Sequence, residues 1–232
     1  MKHILTLVLS SFTLLALSSA AEPRPNVLFI AVDDLRPELG CYGNQIIKTP
    51  NIDRIAARGT VFNHAYTQQA VCSPSRSSFL TGRRPDATRV WDLETHFRVA
   101  LPNRITLPQH FKANGYYCAG LSKIYHPGFE DGRSWNEPHW YPKGRSVDTD
   151  PVDWTKQIIT RHAVSVQEYS SASQPDPVDN DKPASNGKGK AGPAFEVSPK
   201  ADDDLPDGAT AAEAVKRLHD LKSKGKPFFL AV

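Results

Sequence analysis

An α/β fold is predicted for this 232-residue chain by two kinds of segment. Pro25 to Val32 and Phe228 to Val232 are short, continuous apolar runs, the pattern of parallel strands buried on both faces. Between them lie helix-period segments, and at Thr106 to Ile124 a helix leads directly into a further strand pattern, a βαβ rhythm. The length suffices for one sizeable core, or one domain plus a tail. Hydrophobic content of 39% and charge of 23% suit a soluble globular chain, and a net charge of +3 calls for no nucleic-acid partner.

Taken in order, residues 1–21 have the form of a secretory signal: Lys2, an apolar run from Ile4 to Leu17, then Ser18-Ser19-Ala20-Ala21. The run is short for a membrane span and no other stretch replaces it, so the expectation is an exported protein with no membrane partner. No Asn begins an Asn-x-Ser/Thr acceptor, which favours a periplasmic or extracellular bacterial location over a lysosomal one. Three cysteines, Cys41, Cys72 and Cys118, are an odd number for export. If Cys72 has another use, Cys41 and Cys118 either pair or remain thiols.

The first strand ends in Asp33-Asp34, and in open α/β sheets ligands bind at the carboxyl ends of strands. Helix capping or solvation would explain these acids too. As metal ligands, two hard carboxylates suit Ca²⁺ or Mg²⁺ better than zinc. Thr49 and Pro50 are expected to cap and open a helix with Ile52, Ile55 and Ala56 on its apolar face and Gly59 at its end. Val61 to Tyr66 reads as a strand, with His64 in a structural role.

Next comes Cys72-Ser73-Pro74-Ser75-Arg76, with Leu80-Thr81-Gly82-Arg83 downstream. Ser73 suits an N-cap, Pro74 a first helical position and Gly82 a stop, so Cys72 is expected just outside a helix N-terminus, where anions are favoured. Its alternatives are a buried small hydrophobe or half a disulfide. Arg83, Arg84, Arg89 and Arg98, interleaved with Trp91 and Phe97, form either a solvated face or a patch for an acidic sugar.

A helix over Thr106 to Asn114, stacking Leu107 on Phe111 and stopped by Gly115, precedes a strand over Tyr116 to Ile124. Lys123 and His126 follow at its carboxyl end, facing the same crevice as Asp33 and Asp34. Gly128 to Asp153, rich in Trp, Pro and Gly, reads as a long structured loop. Residues 165–204 have almost no aliphatics and read as a surface insertion or disordered segment. Asp207 is expected to cap a helix with Ala211, Ala214, Val215, Leu218 and Leu221 on its apolar face, ended by Gly225. The closing strand stops with nothing beyond it, so the chain reads as truncated at Val232.

The stretch Cys72-x-Pro74-Ser75-Arg76 with Leu80-Thr81-Gly82 in register resembles the signature of type I sulfatases. Asp33-Asp34-Leu35-Arg36, Gly40-Cys41-Tyr42-Gly43 and Thr49-Pro50-Asn51-Ile52-Asp53 resemble the N-terminus of the same family. Gln69-Ala70-Val71-Cys72, Lys123-Ile124-Tyr125-His126-Pro127-Gly128, Leu205-Pro206-Asp207 and Pro227-Phe228-Phe229-Leu230-Ala231-Val232 are similar to the iduronate-2-sulfatase branch and its bacterial relatives. The resemblance implies an alkaline-phosphatase-like sandwich with a mixed, mostly parallel central sheet flanked by helices. Residues 22–232 would be its N-terminal portion, and the remaining ligands would lie past Val232.

It further implies that a maturing enzyme oxidises Cys72 to formylglycine, and that Asp33, Asp34 and residue 72 bind Ca²⁺. Arg76 would hold the aldehyde hydrate, with Lys123 and His126 contacting sulfate and moving protons. One hydroxyl of the hydrate would attack sulfur, and the other would then expel sulfate, which a plain Ser or Cys has no second hydroxyl to do. The implied substrate is a sulfated polysaccharide or glycosaminoglycan. Two rivals remain: a phosphomonoester or phosphonate hydrolase of the same superfamily, and a non-catalytic binder of sulfated glycan with Cys72 left as a thiol.

Overall fold

A computed structural model describes residues 24–142, 146–147 and 199–232. The secretory signal and most of the 165–204 segment lie outside the described residues. So do residues 143–145 and 148–153 of the expected loop.

Three parallel strands form the centre: β1 (Val27–Phe29), β2 (Tyr117–Gly120) and β5 (Phe228–Ala231), in the order β1-β5-β2. Val27 lies beside Phe229 and Phe29 beside Ala231, while β2 runs from Tyr117 beside Phe228 to Gly120 beside Ala231. The last strand in sequence is thus the middle one in space, and all four of its residues are buried. Continuous apolarity follows from that position, since both of its faces are covered.

Alternation along β5 divides the core. Phe229 and Ala231 join Leu80, Val90, Phe97, Cys118, Ile124, Tyr125 and Trp135 on one side, with Phe29, Leu107 and Phe111 packed against them. Phe228 and Leu230 join Ala119, Leu121, Ala214 and Leu221 on the other. Phe111 stacks on Phe229 with ring centroids 4.7 Å apart.

The helices are α1 (Pro50–Ala56), α2 (Cys72–Thr81), α3 (Pro85–Thr88), α4 (Leu107–Ala113) and α5 (Pro206–Ser223). In α4 the Thr106 hydroxyl accepts from the Gln109 N–H, and the Gln109 side chain accepts from the Thr106 N–H, a reciprocal box that satisfies two otherwise orphaned donors. Gly82 ends α2 with φ 62°, a left-handed conformation that costs glycine little.

Several expectations need correction. Val61 to Tyr66 is irregular with a single turn at Asn63 and His64, not a strand. It has no strand beside it among the described residues, and a strand without a neighbour leaves its backbone donors unpaired. β1 is shorter than Pro25 to Val32 and only half buried, with Leu28 45% exposed. On α1, Ile52 and Ile55 are exposed, as are Ala211 and Val215 on α5. Pro206 takes the first position of α5, so Leu205 is its cap and Asp207 falls in the first turn, where the dipole favours a carboxylate.

Within the long loop, a 3-10 turn at Gly132–Ser134 precedes β3 (His139–Trp140), which pairs antiparallel with β4 (Ser146–Val147). Residues 199–204, the end of the polar segment, carry a further turn at Asp202–Asp204. Among the described residues no helix is long and apolar enough to cross a membrane.

Candidate active site

Helix α2 begins at Cys72, with Val71 as its cap, two residues earlier than Ser73 and Pro74 suggest. Ser73 is buried inside the first turn, and Pro74 is accommodated there because no N–H in that turn has an intrahelical partner. Cys72 is therefore the first helical residue, not one outside the helix. The consequence is geometric: Arg76 lies four residues on and one turn up the same face.

Arg76 is 5% exposed and its guanidinium is fully engaged. Nε donates to Cys72 Sγ at 3.3 Å, and Nη2 donates to Asp33 Oδ1 at 2.7 Å. Nη1 donates to the carbonyls of Lys123 and of Ile124, the latter at 3.2 Å. One planar fork thus ties the start of α2 to the end of β1 and to the loop after β2.

Asp33 receives a second cation, Lys123 Nζ at 2.5 Å from Oδ2, and its Oδ1 lies 3.8 Å from Cys72 Sγ. Burial pushes the Asp33 carboxyl up, but hydrogen bonds from Lys123 and Arg76 outweigh it and hold the carboxyl below its ordinary value. Burial works against the Lys123 ammonium, yet the hydrogen bond to Asp33 and the Cys72 sulfur leave its pKa raised.

His126 lies on the same loop. Burial, then the charges of Lys123 and Arg76, lower its pKa, with Glu130 and Asp33 opposing. Its imidazole is thereby biased to the neutral, proton-accepting form. Of the six residues singled out from the sequence, Asp33, Cys72, Arg76 and Lys123 converge directly, and His126 stands within their field. Asp34 adopts φ 52° at the adjoining turn and makes no ion pair among the described residues.

As a metal site the chain offers hard oxygen donors at Asp33, 3.8 Å from Cys72 Sγ, and at its neighbour Asp34, donors of the kind Ca²⁺ takes. Among the described residues, no three His, Cys, Asp or Glu side chains gather closely enough to hold an ion by themselves.

Cys41 and Cys118 are free thiols, which removes the pairing alternative. Cys118 is buried, its Sγ 3.3 Å from the Pro108 carbonyl, and burial pushes its thiol up to about 11. Of the four clustered arginines, Arg83, Arg84 and Arg89 are exposed and only Arg98 is buried. Arg98 is buried in an ion pair with Asp131 at 2.7 Å, and Arg89 lies over the Trp91 ring. The acids Glu130 and Asp131, on the loop rich in Trp, Pro and Gly, are both buried, and no local sequence signal separates them from solvated loop acids.

Residues 25–232 match the family model described as Sulfatase. The chain is 38% identical over 238 aligned positions to iduronate 2-sulfatase of Mus musculus, covering 98% of this chain and 38% of that protein. It is 37% identical over 213 positions to iduronate 2-sulfatase of Homo sapiens, covering 89% and 34%. It thus spans little more than a third of these relatives. Among solved structures, a phosphonate monoester hydrolase of Agrobacterium radiobacter superposes with a TM-score of 0.54 at 21% identity, over 90% of this chain and 40% of that one. That likeness concerns the fold, and it agrees with the α/β sandwich expected from the motifs.

Proposed function

Because this chain belongs to the sulfatase family, as the match across residues 25–232 shows, we propose that it carries the nucleophile end of a sulfuric ester hydrolase acting on a sulfated glycan. The observation that carries the proposal is the convergence of Cys72, Arg76, Asp33 and Lys123 at the N-terminus of one helix. A sulfate monoester is attacked with difficulty because its oxygens repel nucleophiles and its alkoxide leaves poorly. Catalysis here must therefore come from placed positive charge.

Arg76, buried and immobilised by four partners, keeps its charge at residue 72 without reorganising. Lys123 adds a second cation on the opposite side of Asp33. At an effective dielectric of about 20 and ~4 Å, each such charge is worth on the order of 4 kcal/mol against an anion, more than local packing contributes. His126, biased towards its neutral form by burial and by those two cations, is the group proposed to accept a proton.

Residue 72 is proposed to act as formylglycine, made by a maturing enzyme, because an aldehyde hydrate has a second hydroxyl with which to release sulfate. Calcium, held through Asp33, Asp34 and residue 72, would neutralise ester oxygens and acidify the hydrate. The iduronate 2-sulfatase likeness supports a 2-sulfated uronic acid as the sugar to try first. The leader-like start of the chain supports export to the periplasm or outside the cell.

The test is made on full-length protein produced together with a maturing enzyme. Peptide mass spectrometry over residue 72 is paired with turnover of nitrophenyl sulfate, nitrophenyl phosphate and a panel of sulfated disaccharides. Expected are exchange of the Cys72 sulfur for a carbonyl oxygen and preference for sulfate, both abolished in Cys72→Ala. Fully active protein that retains a thiol at residue 72 refutes the nucleophile, and preference for phosphate refutes the reaction class.

A further inference from the structure

Glu130 is 3% exposed. Both of its oxygens accept from the Gly128 N–H, at 3.0 and 3.1 Å, and Oε1 also accepts from the Tyr141 hydroxyl. Among the described residues the carboxylate enters no ion pair. A buried carboxylate with only neutral donors costs stability that a glutamine would not. Its neighbour Asp131, by contrast, is neutralised by Arg98.

The charge sits one turn from His126. The His126 carbonyl accepts from the Phe129 N–H at 2.9 Å, the two rings lie 5.8 Å apart, and Gly128, which Glu130 grips, closes the same turn. His126 Nδ1 is buried and has no hydrogen-bond partner among the described residues. The charges acting on this ring come from three places: Arg76 on α2, Asp33 after β1, and Lys123 and Glu130 on the loop itself. The two cations disfavour the imidazolium, and Asp33 is already shared between them.

We propose that Glu130 is a positioning residue for His126, whose carboxylate closes the His126-Pro127-Gly128 turn and supplies the negative charge that offsets Lys123 and Arg76 at the imidazole. The role rests on His126 serving as the base in the reaction proposed above. Without that charge the ring accepts a proton less readily. The tether and the charge are separable, because glutamine can still accept from Gly128 or from Tyr141.

The experiment uses full-length protein labelled with ¹³C-histidine, the His126 signal being assigned by its loss in His126→Gln. Its titration midpoint is measured by NMR, alongside the pH profile of kcat/KM on an aryl sulfate. In Glu130→Gln the midpoint falls by about 0.5–1 pH unit, the scale of one partly screened charge, and the acid limb of kcat/KM moves down with it. Glu130→Asp keeps the charge but retracts it, so the midpoint moves less in the same direction; it carries the test if the glutamine variant does not fold. An unchanged midpoint in a folded variant overturns the proposal. A midpoint that moves while the acid limb stays put upholds the action of Glu130 on His126 and overturns the assignment of His126 as base.

Discussion

Acid should destabilise this protein through His96, a residue with no part in the proposed chemistry. The ring is 1% exposed and stacks on Phe97 at 4.6 Å. Its Nδ1 accepts the Arg98 backbone N–H at 3.0 Å, so Nε2 carries the proton and donates to the Phe129 carbonyl at 3.2 Å. Protonating Nδ1 would set two N–H groups against each other. Burial lowers the pKa from 6.5 to about 4, with the Asp131 charge opposing and too weak to reverse it.

Because the folded value is depressed, the unfolded chain binds the proton first as pH falls. The stability associated with His96 is therefore complete above about pH 6.5 and is lost between there and about pH 4. A shift of roughly 2.5 units at about 1.36 kcal/mol each gives ~3 kcal/mol, a large part of a typical domain's stability. Urea unfolding at a series of pH values measures it, with His96→Gln as the comparison. Glutamine should cost about 1–2 kcal/mol at neutral pH for imperfect hydrogen bonding, and its stability should fall less steeply on acidification. Carboxylates titrate in both proteins, so only the difference between the curves counts. Parallel curves from pH 7 to pH 4 would refute the reasoning.

Arg98→Met leaves Asp131 charged and buried beside Ser134, so a loss of about 3–5 kcal/mol is expected in the same unfolding assay. A ΔΔG below about 1 kcal/mol would show that Asp131 is solvated. Lys123→Met removes a charge facing Asp33 and should lower kcat on a sulfate ester by about 10²–10³, with little change in melting temperature. Gly120→Ala places a Cβ 2.6 Å from the His139 ring and 2.8 Å from Trp135, both buried. It should cost about 1–3 kcal/mol, and a variant as stable as wild type would mean that those rings yield.

What the sequence determined by itself was whatever depends on a few adjacent residues. The helix that follows Thr106, the stop at Gly82 and the strand run at Phe228 are local matters of backbone geometry and hydrogen bonding, and each lies where its residues indicate. The α2 signature was legible for the same reason, since the spacing of Cys72 and Arg76 becomes one helical face wherever the helix begins. What only the tertiary structure decided concerns partners distant in the chain. Val61 to Tyr66 has the look of a strand and, among the described residues, no strand to pair with, while β5 takes the centre of the three-stranded sheet. Arg98, which the sequence leaves open between a solvated face and a sugar patch, is buried, and so is Glu130, which no sequence motif marks. A side chain's charge is written in the sequence, but the solvent and counter-charge around it are set by residues tens of positions away, and these decide whether it solvates a surface, anchors a loop or tunes a base.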